Sequence, residues 1–247
     1  MSAAVEIAEV VKEFGGLRAV DRVSMRVAAG ERRVLIGPNG AGKTTLFHCI
    51  TGTLAPTAGR VRFFGRDVTR LPEHRRTALG MGRTFQISNV IAELTCLENL
   101  VLAAVGTDRR KWIVHRPVAA FEDVREQARA GLARVGLAQR ADEAVRRLSY
   151  GERRQLELAL ALTGRPRVLF LDEPCAGLSP SERGRISRLI ADLPRDLTVL
   201  MIEHDMDVAL GLADRVTVLH QGRVILDAAP GEVQSNAEVR EVYFGHG

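Results

Sequence analysis

Val34-Leu35-Ile36-Gly37-Pro38-Asn39-Gly40-Ala41-Gly42-Lys43-Thr44-Thr45 is the stretch that decides the fold. Its first three residues are aliphatic with no polar break, as in a short strand buried on both faces. The next eight fit GxxxxGK[ST], and Thr44 to Thr51 reads as a helix that stops at Gly52. Strand, glycine-rich turn and helix in that order are what a phosphate-binding loop requires. The glycines let the chain curl, so that the amides of Asn39, Gly40, Ala41 and Gly42 point at phosphate oxygens near the positive end of the helix. Lys43 is then placed to bridge the β- and γ-phosphates, Thr44 to ligate Mg²⁺ and Thr45 to bond the α-phosphate.

Phosphoryl transfer with a bound metal also needs a carboxylate for Mg²⁺ and a group that deprotonates or orients water. Val168-Leu169-Phe170-Leu171-Asp172-Glu173 offers both, because its apolar run is a buried strand with two carboxylates at its C-terminal end. Ligands collect at that end of an open α/β sheet. Asp172 is the candidate Mg²⁺ partner and Glu173 the candidate general base.

Working outward, Val23, Met25 and Val27 alternate with polar residues, which predicts a small half-buried antiparallel sheet within residues 5–27. Val61 to Phe64 adds a strand. Between residues 88 and 150 the strand signals fade, and helical spacing appears over 94–105, 121–135 and 141–148. An inserted helical subdomain is expected there. Helices over 152–162 and 181–193 then alternate with buried strands at 168–171 and 197–202, which implies a parallel sheet with helical crossovers. Arg215 to Leu219 and Arg223 to Leu226 flank Gln221-Gly222 as a hairpin. The expected fold is α/β: a single domain, residues 1–247, with a phosphate-loop core and antiparallel β subdomain from 1–87 and 151–247, and the helical subdomain from 88–150.

Composition narrows the alternatives. The chain has 247 residues, 3 cysteines and a net charge of +5. Cys49, Cys96 and Cys175 are isolated from one another, with neither metal-ligand nor disulfide spacing. No apolar run approaches the roughly 20 residues that span a bilayer, and no secretory leader is visible. The expected location is therefore cytoplasmic. Arginines are scattered rather than clustered, so no nucleic-acid partner is expected from the charge.

In these motifs the chain resembles the ATP-binding cassette (ABC) ATPases, and the likeness extends over nearly its whole length. The discriminating segment is Leu148-Ser149-Tyr150-Gly151-Glu152, similar to the family's LSGGQ signature, with Tyr150 in place of a glycine and Glu152 in place of the glutamine. The resemblance implies that Ser149 and the Gly151 amide hold the γ-phosphate of ATP bound by a second subunit. On its own, the pentapeptide reads as an ordinary helix cap. The same resemblance identifies Gln86 with the glutamine that touches Mg²⁺ or the attacking water, and His204 with the switch histidine at the γ-phosphate. Phe14 corresponds to the aromatic that stacks on adenine, with Val20 beside the base. Ala176-Gly177-Leu178-Ser179 resembles the D-loop, the segment that crosses the dimer interface, with Ser179 replacing its aspartate.

The resemblance further implies an ATPase that needs ATP and Mg²⁺ and pairs with an identical or paralogous subunit. It would serve integral membrane permeases and an extracytoplasmic solute-binding protein, from a peripheral position on the inner face of the membrane. Phe14 to Asp21, Gly82 to Gln86, Leu94 to Asn99 and Glu173 to Pro180 look most like the ATPases of branched-chain amino acid uptake. Urea or amide uptake and lipopolysaccharide export are the neighbouring readings. A soluble ABC ATPase outside transport is a further one, disfavoured by the lack of a long coiled-coil insertion.

Overall fold

The computed structural model describes residues 3–84, 90–107 and 122–244. They form two compact units. The first comprises Met1–Met81, Arg167–Glu173 and Ala191–Gly247; the second comprises Gly82–Pro166 and Pro174–Ile190.

In the first unit, β1 (Ala3–Phe14), β2 (Leu17–Ala28), β4 (Ala58–Phe63) and β5 (Arg66–Asp67) make an antiparallel sheet in the order β2-β1-β4-β5. The alternation of Val23, Met25 and Val27 appears as burial of those three, with Ser24 and Arg26 exposed. A second sheet runs β10 (Arg223–Ala228), β9 (Arg215–His220), β3 (Arg32–Ile36), β8 (Thr198–Ile202), β7 (Val168–Asp172). The pairs β3–β8, β3–β9 and β7–β8 are parallel, and every residue of β3, β7 and β8 is buried. That is why the stretches 34–36, 168–171 and 199–202 within these strands read as apolar runs rather than alternating ones. β9 and β10 pair antiparallel, and both turn residues, Gln221 and Gly222, have positive φ, the conformation that matches strand twist in a two-residue hairpin.

Helix α1 (Lys43–Thr51) packs Leu46, Phe47, Cys49 and Ile50 into the core between the sheets. Phe47 meets Phe170 edge-on at 5.5 Å between ring centroids, and Phe63 stacks on Phe170 at 5.9 Å. The far end of α1 is capped by a buried cation. Arg76, from the short α2 (Glu73–Thr77), is 1% exposed and donates to the carbonyls of Cys49, Ile50, Thr69 and Leu71. Positive charge at a helix C-terminus is favourable, and orphan carbonyls there need donors. Burial still pulls the Arg76 pKa down to about 10. Helix α7 (Met206–Leu212) starts at Asp205, whose carboxylate accepts from the amides of Asp207 and Val208. Helices α8 (Pro230–Ser235) and α9 (Ala237–Phe244) end the unit.

The chain leaves the first unit through β6 (Met81–Arg83). The second unit holds α3 (Cys96–Thr107), α4 (Glu122–Arg134), α5 (Tyr150–Thr163) and α6 (Pro180–Ala191), with α3 packed on α4 and α5 around Leu97, Leu100, Val124, Ala128, Leu132 and Leu156. The helix expected over 141–148 is not formed. Val145–Arg147 is one 3₁₀ turn, and Thr95 bridges Ala144 as an isolated β-pair. Leu94 and Ala92 accept amide hydrogen bonds from Val145 and Arg146, so this backbone is satisfied by a neighbouring strand-like segment instead of by itself.

Candidate active site

Register places the chemistry. Leu35 of β3 pairs with Ile202 of β8, and Ile202 pairs with Asp172 of β7. Neighbouring strands lie about 4.8 Å apart. The phosphate-type loop after β3, the Asp172-Glu173 step after β7 and His204 after β8 therefore leave the sheet at one level, on its C-terminal edge.

The loop is shaped by contacts beyond its own sequence. Gly42 caps α1 with φ +97°, and a Cβ there would collide with the carbonyl oxygen of Ala19. Gly37 has φ +150°, with the Leu219 carbonyl where a Cβ would lie. The Gly222 amide donates to the Ala41 carbonyl at 3.0 Å, and the Asp21 amide donates to the Gly222 carbonyl at 2.8 Å. Asn39 and Gly40 are exposed at the crest of the loop, Ala41 is buried, and Thr44 and Thr45 are half-buried in the first turn of α1. Tyr243 of α9 is enclosed next to the Gly37 backbone, and burial pushes its hydroxyl up to about 12.

Lys43 is 7% exposed, and its ammonium donates to the carbonyls of Gly37 at 2.7 Å and Pro38 at 3.0 Å. Burial lowers its pKa, opposed by the nearby negative charge of Glu173. Asp172 is 1% exposed. Glu173 has φ +49°, unusual for a residue with a side chain, while its amide donates to the Ile202 carbonyl at 3.1 Å. Such strain costs about 1–3 kcal/mol and gathers at functional positions. It turns the Glu173 carboxylate toward His204, whose Nδ1 lies 3.2 Å from Oε1.

Phe14 ends β1 with 45% of its surface exposed, and the Lys12 ammonium lies 5.0 Å from its ring centroid. Val20 departs from expectation: it is 0% exposed and belongs to the hydrophobic core, so it presents no surface to a base in this structure. Gln86 lies outside the described residues.

Ser149 and Gly151 belong to the second unit. Ser149 is the exposed N-cap of α5, accepting from the Glu152 amide at 3.2 Å, while its own amide donates to Glu152 Oε2 at 2.8 Å. This is a capping box. A glutamine would close the same box; what the carboxylate of Glu152 adds is an ion pair with Arg140 Nε at 3.2 Å. Gly151 is buried because the Glu182 side chain lies across it, where a Cβ would stand. Glu182 is itself in a capping box on α6: Ser179 donates through its hydroxyl at 2.7 Å and its amide at 3.1 Å. These bonds, the hydroxyl first, hold the Glu182 carboxyl below the usual carboxylate range, with the Gly151 amide contributing. Tyr150 reaches the Ala176 carbonyl weakly at 3.4 Å and accepts from Arg154 at 2.8 Å. Sequence reasoning missed Glu182, although Ser149-x-x-Glu152 and Ser179-x-x-Glu182 are the same readable signal.

Fold and loop together define a phosphate-loop nucleoside triphosphatase. Similarity to known proteins narrows this class. The ABC transporter family profile matches residues 20–176. The high-affinity branched-chain amino acid transport ATP-binding protein BraF of Pseudomonas aeruginosa is 37% identical, with 97% of each chain covered. The lipopolysaccharide export system ATP-binding protein LptB of Acidithiobacillus ferridurans is 36% identical over 99% of this chain and 98% of its own. Among solved structures, the ADP conformation of an ABC transporter's ATP-binding cassette superposes with a TM-score of 0.89 at 31% identity over 100% of both chains. A dimeric post-hydrolysis cassette bound to ADP and Pi gives 0.78 at 26% identity over 92% of this chain and 98% of its own. The chain belongs to the ABC transporter family and is an ATP-binding, ATP-hydrolysing subunit of that family.

Proposed function

We propose that this subunit drives uptake of branched-chain amino acids or similar small polar solutes, by hydrolysing ATP between two paired cassettes docked on integral membrane permeases. The observation that carries the reading is the Glu173–His204 pair at the sheet edge that also bears the Lys43 loop. In this reading Lys43 releases its own loop carbonyls to bridge the β- and γ-phosphates, and the amides of Asn39 to Gly42 surround them. Thr45 bonds the α-phosphate, and Phe14 stacks on the base. Thr44 and Asp172 offer the hard oxygen donors that suit Mg²⁺, which neutralises charge on the phosphates when bound. Glu173 takes the proton of the attacking water, with His204 orienting Glu173 and contacting the γ-phosphate. Gln86 joins Mg²⁺ or the water.

Ser149 and Gly151 serve the γ-phosphate of the partner subunit, identical or paralogous. Hydrolysis removes those contacts and opens the pair, and the permeases and a solute-binding protein convert that opening into import. The proposed position is peripheral, on the inner face of the membrane; no helix among the described residues is long and apolar enough to cross a membrane. The similarity to BraF supports the amino acid reading; the similarity to LptB makes lipopolysaccharide export the second one. Glu173→Gln should retain MgATP binding and lower phosphate release about 10²–10⁴-fold. Unchanged turnover would remove Glu173 from the role. Loss of labelled leucine uptake on deleting the subunit supports the transport reading, and intact uptake with defective lipopolysaccharide export favours the second.

A further inference from the structure

We infer that Glu182 is a positioning residue that makes the signature turn and the D-loop-like segment one mechanical piece, because its side chain lies across Gly151 of α5 while its carboxylate closes the capping box that begins α6. The inference rests on the paired arrangement of the proposed function and assigns a cause to one of its parts. Gly151 has no positive φ. Its lack of a side chain is therefore required by space, and the atoms occupying that space belong to its own chain. The carboxylate is not free to withdraw, because Ser179 grips Oε2 through both hydroxyl and amide, while Oε1, Cδ and Cγ face Gly151. A side chain at 151 must push Glu182 away and so unfasten the start of α6 and the Ala176–Ser179 segment before any partner arrives. Tyr150 braces the same junction: its ring packs beside Gly177 and its hydroxyl is steered by Arg154.

A double-mutant cycle tests this. In the Glu173→Gln protein, ATP-driven pairing is measured by sedimentation with Gly151→Ala, Glu182→Ala and both together. The factor by which Gly151→Ala weakens pairing should fall at least threefold once Glu182→Ala is present, since the obstruction is then gone. A smaller fall overturns the inference and leaves Gly151 acting on the partner's nucleotide alone. Thermal unfolding of each variant separates this from simple stability, as a merely structural glutamate would shift Tm without changing the pairing factor. Amide exchange in the unpaired chain gives an arm independent of dimerisation. Glu182→Ala should speed exchange over residues 150–153, in a helix to which Glu182 does not belong, and unchanged exchange there overturns the inference. Failure of the parent protein to pair with ATP would instead strike the proposed function, with the exchange result still deciding the role of Glu182.

Discussion

Arg76 illustrates how a single residue holds the phosphate-loop helix in place. Its guanidinium has carbonyl partners from α1 and from the segment before α2, so removing it strands several buried acceptors at once. Each such group costs about 1–3 kcal/mol. Arg76→Met should lower unfolding free energy by about 3 kcal/mol or more in a denaturant titration. Cys49 makes a pH prediction. Burial raises its thiol from an ordinary value of 9.0 to about 11, so the unfolded chain ionises this group before the folded chain does. Its contribution is intact below pH 9 and is lost as pH climbs toward 11, by about 3 kcal/mol at most. Thermal unfolding across that window should show a shallower alkaline decline in Cys49→Ala than in the parent chain.

At the scale of elements, capping is the recurring device. Thr95 with Glu98, Ser149 with Glu152 and Ser179 with Glu182 each exchange side-chain and backbone hydrogen bonds at the start of α3, α5 and α6. Losing either member of such a box costs about 1 kcal/mol. Ser149→Ala and Glu152→Ala should thus destabilise the chain similarly in thermal melts, but only Ser149→Ala should weaken nucleotide-driven pairing, since only its hydroxyl is assigned to the partner. The buried strands β3, β7 and β8 were legible through their apolar stretches 34–36, 168–171 and 199–202, where both faces are covered, whereas the buried Arg32 and Arg33 that begin β3 gave no such signal. Helix α1 was legible from its glycine punctuation. Helix α2 and strand β6 were not: they are 5 and 3 residues long, too short for a period to register, and Arg76 looks like an ordinary surface arginine until the carbonyls around it are seen. Residues 141–148 mimic helical spacing because Ala141, Val145 and Leu148 are buried, yet their backbone pairs with residues 92–97 instead. Within the site, the loop, Asp172, Glu173 and His204 were visible as motifs after buried strands. Glu182 across Gly151 was not, because it depends on a contact between residues distant in sequence. Val20 was expected beside the base, whereas here it is buried, paired with Lys12 of β1 and close to Gly222 of the β9–β10 hairpin.

The whole molecule divides its labour. One unit carries Lys43, Asp172, Glu173 and His204, and the other presents Ser149 at an exposed helix start. We propose that each nucleotide is completed by a neighbouring subunit, so binding energy from two ATP molecules becomes interface energy and hydrolysis releases it. Sedimentation of the Glu173→Gln protein with MgATP is the most direct measurement of that claim. The expected result is a species of twice the chain mass that forms with MgATP, is absent with MgADP, and is lost on Ser149→Ala. A protein that binds MgATP tightly yet sediments as a single chain would contradict it.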